Sequence, residues 1–221
     1  RDYDWWMARL HFNLNFFNLV RIDHFRGLES YWSVPAGEET AINGNWVPAF
    51  GREMLALLKS QIGELPLIAE DLGIITREVD ELREEFDLPG MKVLQFAFTT
   101  DATNKDLPHN YSENFVIYTG THDNNTTLGW LMNVEDDEKE FLNKYIDTSD
   151  KNGLSKMIEL AMASVAKTAI IPMQDVLALD AGSRMNIPGT ANGNWGWRFQ
   201  WKQLKVGQKQ FLKTLTEKYN R

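Results

Sequence analysis

The chain has 221 residues, of which 43% are hydrophobic and 12% aromatic, a composition that indicates a folded globular protein and excludes a disordered one. The formal net charge of −8, without a dense Lys/Arg run, argues against a nucleic-acid partner because phosphate binding needs clustered basic side chains. Cysteine is absent, which excludes disulfides and thiolate metal sites, and no signal peptide or membrane span is visible. We therefore predict a cytoplasmic protein without a membrane partner.

Apolar residues recur at helical spacing in several segments of the chain. The first stripe consists of Trp6, Leu10, Leu14 and Phe17. Further stripes predict helices over residues 54–62, 79–86 and 154–165, with Gly63 as a C-cap and Thr76 as an N-cap.

Short apolar runs between these helices predict five strands, near residues 19–24, 66–71, 92–98, 115–120 and 169–172. Strands that alternate with helices predict an α/β fold with a parallel sheet. An eight-stranded (β/α)8 TIM barrel needs about 250 residues, so residues 1–221 are predicted to be the C-terminal portion of one barrel domain, without its upstream strands. The start at Arg1 instead of Met fits a fragment. The alternative is a complete, open, doubly wound sheet.

Polar residues gather where three of these strands end, at residues 21–27, 69–73 and 120–125. In a parallel α/β fold this is the edge of the sheet that carries active sites. Each cluster contains a candidate carboxylate: Asp23, Glu70 and Asp123. Two carboxylates about 5–5.5 Å apart suit a retaining glycosidase mechanism, in which one is the nucleophile and the other the acid/base.

Each cluster also has a purely structural interpretation. Arg21 and Asp23 share a strand face, which favours the ionised carboxylate that a nucleophile requires, but a buried ion pair would show the same spacing. Glu70 is a candidate general acid or a helix N-terminal carboxylate, and sequence parity does not decide whether it or Asp71 faces the pocket. Asp123 is a third carboxylate near the reaction centre or an N-cap for a helix over residues 124–128.

Other chemistries find less support in the sequence. The four histidines lack metal-ligand spacing, no Gly-rich phosphate loop follows a strand, and no G-x-S-x-G elbow is present. We therefore predict no metal and no cofactor. The sequence carries no prediction of oligomeric state.

These segments resemble the signature segments of the amylomaltases, the 4-α-glucanotransferases of glycoside hydrolase family 77. The resemblance rests on RIDHFRG at residues 21–27, AEDLG at 69–73 and THDN at 121–124. DYDWW at residues 2–6 resembles the helix before the family's fourth barrel strand, and GNWGWR at 193–198 resembles its C-terminal Asn-Trp-x-Trp-Arg segment. The first segment is highly specific, whereas the Glu70 and Asp123 segments alone indicate only the wider α-amylase clan. The family's first three strands are absent from these residues.

The resemblance implies that Asp23 is the nucleophile, that Glu70 is the acid/base and that Asp123 stabilises the oxocarbenium-like transition state. It also implies that Arg21 supports the nucleophile and that the stretch with Glu29, Trp32, Pro35 and Ala36 lines the acceptor side. The other residues implied to bind the sugar are His24, His122, Asn194 and Arg198. Trp195 and Trp197 are equally compatible with the core. The implied partners are a maltooligosaccharide or glucan donor and acceptor.

Two other functions stay open at this point. One is an α-glucan hydrolase that uses the same three carboxylates. The other is an incomplete, non-catalytic glucan-binding fragment.

Overall fold

The computed structural model describes residues 3–99, 101–146 and 152–221, so Asp2 of the family-like segment lies outside the described residues. The chain divides into two compact units, Arg1–Met91 and Lys92–Arg221. The prediction of one barrel domain over residues 1–221 stays a prediction.

The first unit contains both helices and strands, and its last strand, β5, contains the boundary between the units. In chain order the elements are α1 (Asp4–Leu14), β1 (Val20–Ile22), β2 (Ser30–Ser33), β3 (Asn45–Pro48), α2 (Gly51–Ile62), β4 (Leu67–Ala69), α3 (Arg77–Glu85) and β5 (Gly90–Val93). Strands β1 and β4 pair in parallel, with Ile22 opposite Ala69, which confirms the predicted parallel pairing. Strands β2 and β3 form an antiparallel hairpin that the sequence did not predict.

The second unit continues with α4 (Leu94–Ala97), β6 (Phe115–Tyr118), α5 (Thr127–Leu131), α6 (Asp136–Leu142), α7 (Gly153–Ala163), β7 (Thr168–Ile170), α8 (Met173–Val176) and α9 (Val206–Tyr219). Strands β6 and β7 pair in parallel, with Ile117 opposite Ala169. The α/β fold class is thereby confirmed. Among the described residues, no helix is both long and apolar enough to cross a membrane.

Helices α2 and α3 show how the apolar spacing produces the core of the first unit. Met54 and Leu58 of α2 are buried, and Gly63 ends the helix with φ 82°, a left-handed value that glycine adopts without a steric penalty. Val79 and Leu82 of α3 are buried as predicted, with Thr76 at the N-cap position. Each fully buried apolar side chain of this size stabilises the fold by about 1.5–3 kcal/mol.

Two predicted elements were wrong in detail. The buried side of α1 consists of Met7 and Leu10, whereas Trp6 and Phe17 are exposed. The strand predicted over residues 92–98 ends at Val93, and residues 94–97 form a helical turn. Every residue from 90 to 95 is buried, including the polar Lys92 and Gln95, so this run has no periodicity that would distinguish a strand from a buried helical turn.

Candidate active site

Arg21 and Asp23 form an ion pair at the end of β1. The Nη2 atom of Arg21 lies 2.8 Å from Oδ1 of Asp23, and the Arg21 Nε–H donates to the Met91 sulfur at 3.2 Å. The Asp23 side chain is 77% exposed, so the alternative of a buried ion pair is wrong. The pair holds a solvent-accessible carboxylate beside a fixed cation.

The backbone of Glu70 lies beside that of Asp23 because the parallel register of β1 and β4 continues past both strand ends. The Glu70 N–H donates to the Ile22 carbonyl at 3.0 Å, and the Phe25 N–H donates to the Glu70 carbonyl at 3.1 Å. These two backbone bonds bracket Asp23. The Glu70 side chain then accepts hydrogen bonds from the N–H of His24, at 2.6 Å, and from the N–H of Leu72, at 3.1 Å.

Asp71 makes contacts that differ from those of Glu70. It is 3% exposed, lies 3.3 Å from Nε of Arg83 and accepts a hydrogen bond of 2.7 Å from the Met91 N–H. The structure thus decides what the sequence left open: Asp71 is bound within the unit, and Glu70 extends toward the residue that follows Asp23. Helix α3 begins only at Arg77, so Glu70 is not a carboxylate in the first turn of that helix.

The β2–β3 hairpin follows the nucleophile segment and carries exposed aromatic rings. The rings of Trp32 and Trp46 are 5.4 Å apart, and the guanidinium of Arg26 lies 4.1 Å from the centre of the Trp46 ring. Glu29 accepts a hydrogen bond of 2.5 Å from the Ser30 hydroxyl. Pro35 and Ala36, in the loop after β2, are exposed.

The second unit places Asp123 in a network of donors. Asn186 donates from Nδ2 to Oδ1 of Asp123 at 2.6 Å, and Nε2 of His122 lies 3.4 Å from Oδ2. Arg184 donates to the Asp123 carbonyl at 2.5 Å, and the Asn186 N–H donates to the His122 carbonyl at 3.1 Å. Helix α5 begins at Thr127 and is capped by the side chain of Thr126, so the interpretation of Asp123 as an N-cap is wrong.

A cavity of about 160 Å³ opens beside this network. Its wall includes His122, Arg184 and Trp195, and the ring centroids of His122 and Trp195 are 5.2 Å apart. Trp195 has φ 60°, a left-handed conformation that is rare for a bulky side chain and concentrates at functional sites. An imidazole that lies beside an exposed indole ring and a hydrogen-bonded carboxylate suits recognition of a sugar hydroxyl and ring.

Asn194 and Arg198, the two remaining predicted sugar contacts, take part in bonds within their own segment. Asn194 accepts from the Ile187 N–H at 2.9 Å and donates to the Thr190 carbonyl at 3.0 Å. Arg198 donates to the carbonyls of Trp195 and Trp197 at 2.9 and 2.7 Å. Their contact with sugar stays a prediction.

Two residues of the Asp123 network, Arg184 and Asn186, and one residue of the cavity wall, Asp175, were missed by sequence reasoning. Arg184 and Asn186 belong to an irregular segment, which has no periodicity from which a role could be predicted. Asp175 did carry a signal, because it is a polar residue shortly after β7, the same position relative to a strand that marked the other clusters. Within the described ranges, no group of three or more His, Asp and Glu side chains is arranged to hold a metal.

Comparison with known proteins places this arrangement in a family. The family model of glycoside hydrolase family 77, described as 4-alpha-glucanotransferase, matches residues 1–204. The chain belongs to glycoside hydrolase family 77. The family resemblance predicted from the sequence is confirmed.

Relatives within family 77 are similar over nearly the whole chain. A 4-alpha-glucanotransferase of Synechocystis is 51% identical over 220 residues, which are 98% of this chain and 44% of the relative. The 4-alpha-glucanotransferase of Thermus thermophilus is 48% identical over 204 residues, 89% of this chain and 41% of the relative. The structure of an amylomaltase from Streptococcus agalactiae in complex with acarbose matches with a TM-score of 0.95 at 39% identity, over 100% of this chain and 45% of that one. The chain thus spans less than half the length of these family 77 relatives.

Proposed function

We propose that this chain supplies the catalytic residues of a 4-α-glucanotransferase, which moves α-1,4-glucan segments between maltodextrins with retention of configuration. The proposal rests on the two backbone hydrogen bonds of Glu70, to the Ile22 carbonyl and from the Phe25 N–H, which lie on either side of Asp23. In addition, the Glu70 carboxylate accepts a hydrogen bond from the N–H of His24, the residue after Asp23. Neighbouring strands lie about 4.8 Å apart, which favours the short carboxylate spacing of retaining enzymes over the about 6.5–9.5 Å of inverting ones.

The proposed reaction has two displacement steps. In the first, the Glu70 carboxylic acid protonates the glycosidic oxygen while the Asp23 carboxylate attacks the anomeric carbon, so the old C–O bond breaks as the Asp23 ester forms. The reducing-end fragment leaves with the proton from Glu70. In the second, ionised Glu70 takes the proton of the 4-hydroxyl of an acceptor glucan, whose oxygen attacks the anomeric carbon and releases Asp23.

The other predicted residues receive supporting roles in this proposal. Asp123 stabilises the positive charge that develops on the sugar, and His122 donates to a hydroxyl of the sugar that is cleaved. Arg21 supports ionised Asp23, with which it forms an ion pair of 2.8 Å. Transfer exceeds hydrolysis when the acceptor sugar is held at the intermediate more effectively than water.

The proposal extends to the barrel architecture of the fold. We infer that β1, β4, β5, β6 and β7 are strands of a (β/α)8 TIM barrel, which the family resemblance and the parallel pairs β1/β4 and β6/β7 support. The cytoplasmic location stays a prediction, and a potato relative of 47% identity is described as chloroplastic/amyloplastic.

Product analysis with maltotriose tests the proposal. Purified protein should produce glucose together with maltodextrins longer than the substrate, and the Asp23→Asn variant should produce neither. Asp136→Asn is the matched control, since Asp136 is an exposed aspartate in the first turn of α6 and its loss should leave the product pattern unchanged.

Other product patterns would change the conclusion. Only shorter sugars would identify a hydrolase. No product from the parent chain, with maltodextrin binding that Asp23→Asn leaves intact, would identify a glucan-binding fragment without activity of its own.

A further inference from the structure

Asp175 is a buried carboxylate that has no role in the proposed reaction. It lies in α8, soon after β7, and is 2% exposed. Burial raises its pKa above the ordinary aspartate value, and hydrogen bonds from Thr119 and Thr127 oppose that rise. Because an uncompensated buried carboxylate is costly, the groups that bind Asp175 indicate what its burial achieves.

The hydrogen bonds of Asp175 come from two threonines that are separated in sequence. Its Oδ2 atom accepts from the Thr119 hydroxyl at 2.5 Å and from the Thr127 hydroxyl at 2.7 Å, and its Oδ1 atom accepts from the Thr127 N–H at 2.8 Å. Both oxygens are therefore occupied by protein donors. This arrangement is suited to holding the backbone in place and not to direct contact with a sugar.

The two threonines stand at the two ends of one loop. Thr119 directly follows β6, Thr127 is the first residue of α5, and residues 120–126 between them contain His122 and Asp123. One carboxylate thus ties the start and the end of this loop to a third segment of the chain. A loop with both ends fixed has fewer backbone conformations, so the positions of His122 and Asp123 are better defined.

Gln95 strengthens the same attachment from α4. Its Nε2 donates to the Asn125 carbonyl at 3.0 Å and to the Thr127 hydroxyl at 3.3 Å. The Thr127 hydroxyl therefore accepts from Gln95 while it donates to Asp175, and such a chain of bonds is mutually strengthening. A side chain at Gly120 would collide with the Gln95 amide, so the loop lies directly against this network.

We propose that Asp175 is a positioning residue, which fixes the loop of residues 120–126 at both ends and thereby holds His122 and Asp123 in the orientation that glucan transfer requires. The functional part of this inference rests on the proposed transferase activity, whereas the attachment of the loop does not.

Four variants of the full chain separate the positioning role from general stability. Asp175→Ala removes the carboxylate, and Thr127→Val removes one hydroxyl at nearly constant volume. Thr127→Ser keeps that hydroxyl and should restore the parent behaviour. Glu159→Gln is the matched control, because Glu159 also joins distant segments of this unit, through Lys218 at 2.7 Å and Tyr219 at 2.8 Å, without reaching the loop.

Two measurements are made on each variant that keeps the parent's circular dichroism spectrum. Hydrogen exchange should be at least about tenfold faster in residues 120–127 of Asp175→Ala and Thr127→Val, with α7 unchanged, because a lost hydrogen bond corresponds to roughly that factor. Maltotriose kinetics should show a comparable loss of kcat with little change in KM in the same two variants. Thr127→Ser and Glu159→Gln should match the parent in both measurements.

The two measurements fail in distinguishable ways. Unchanged exchange in the loop of Thr127→Val would overturn the inference, even if Asp175→Ala does not fold. Faster exchange with an unchanged kcat would overturn the positioning role alone. If the parent produces no transfer product, the proposed function fails for this chain, and faster exchange would still support the attachment of the loop by Asp175.

Discussion

The Oε2 atom of Glu70 lies 2.6 Å from the backbone nitrogen of His24, the residue that follows Asp23. This bond connects the end of β4 to the end of β1, whose last register pair is Ile22 and Ala69. The side chain of the candidate acid/base is thereby held against the backbone next to the candidate nucleophile.

Loss of charge at Glu70 should affect the reaction, whereas loss of charge at Asp71 should affect the stability of the fold. Glu70→Gln should abolish disproportionation of maltotriose, while the free energy of unfolding changes by less than about 1 kcal/mol because the side chain is only half-buried. Asp71→Asn should lower the free energy of unfolding by about 1.5–3 kcal/mol, since it removes the negative charge of a buried carboxylate that lies 3.3 Å from Nε of Arg83 and accepts a hydrogen bond from the Met91 N–H. Urea unfolding and product analysis of both variants check this difference. Equal loss of stability in the two variants would contradict the assignment.

The backbone conformation of His24 limits which side chains this position accepts. His24 has φ 50° and ψ 52°, a left-handed conformation that Asn tolerates and a β-branched residue does not. His24→Val should therefore have a free energy of unfolding lower than that of His24→Asn by about 1–2 kcal/mol. The urea midpoints of the two variants provide the measurement. If the two midpoints coincide, the left-handed conformation at this residue is not required by the fold.

Asn186 should affect the reaction through Asp123. Asn186→Ala removes the donor 2.6 Å from Oδ1 of Asp123, and a hydrogen bond to a charged group contributes about 1.5–3 kcal/mol, so kcat should fall roughly 10- to 100-fold. Asn192→Ala, at an exposed position in the same segment, is the control and should have the parent's kcat. A kcat for Asn186→Ala within twofold of the parent would show that this bond does not support Asp123 during the reaction.

Ionisation of Tyr111 should lower the free energy of unfolding at high pH. Burial raises the pKa of its phenol to about 12, whereas the unfolded chain ionises near the ordinary value of 10. Its contribution to stability is therefore complete below pH 10 and is lost as the pH rises toward 12, because only the unfolded state releases the proton in that window. Tyr111→Phe should lose less stability than the parent between pH 9 and 11. Urea unfolding at both pH values compares them, and parallel losses would contradict the raised pKa.

Much of the fold was predictable from local spacing. Val79 and Leu82 form the buried face of α3 as predicted, and Gly63 ends α2, because both features depend on residues within one or two turns. The β2–β3 hairpin was not predicted, since its strands are short and mostly exposed and carry no clear alternation. The apolar stripe predicted for α1 was right at Leu10, which is buried, and wrong at Trp6, which is exposed, because the two side chains are both apolar and spacing alone does not distinguish them.

The sequence alone determined where the candidate chemistry lies: Asp23, Glu70 and Asp123 each follow an apolar strand, and the order of polar after apolar residues is a local property. Only the tertiary structure decided that Asp71 pairs with Arg83 while Glu70 reaches His24, because both carboxylates fit either side of a strand whose residues are all buried. The partnership of Asp175 with Thr119 and Thr127 likewise joins residues 56 and 48 positions apart. Contacts over such separations depend on how the elements pack, and the spacing within a single element does not contain that information.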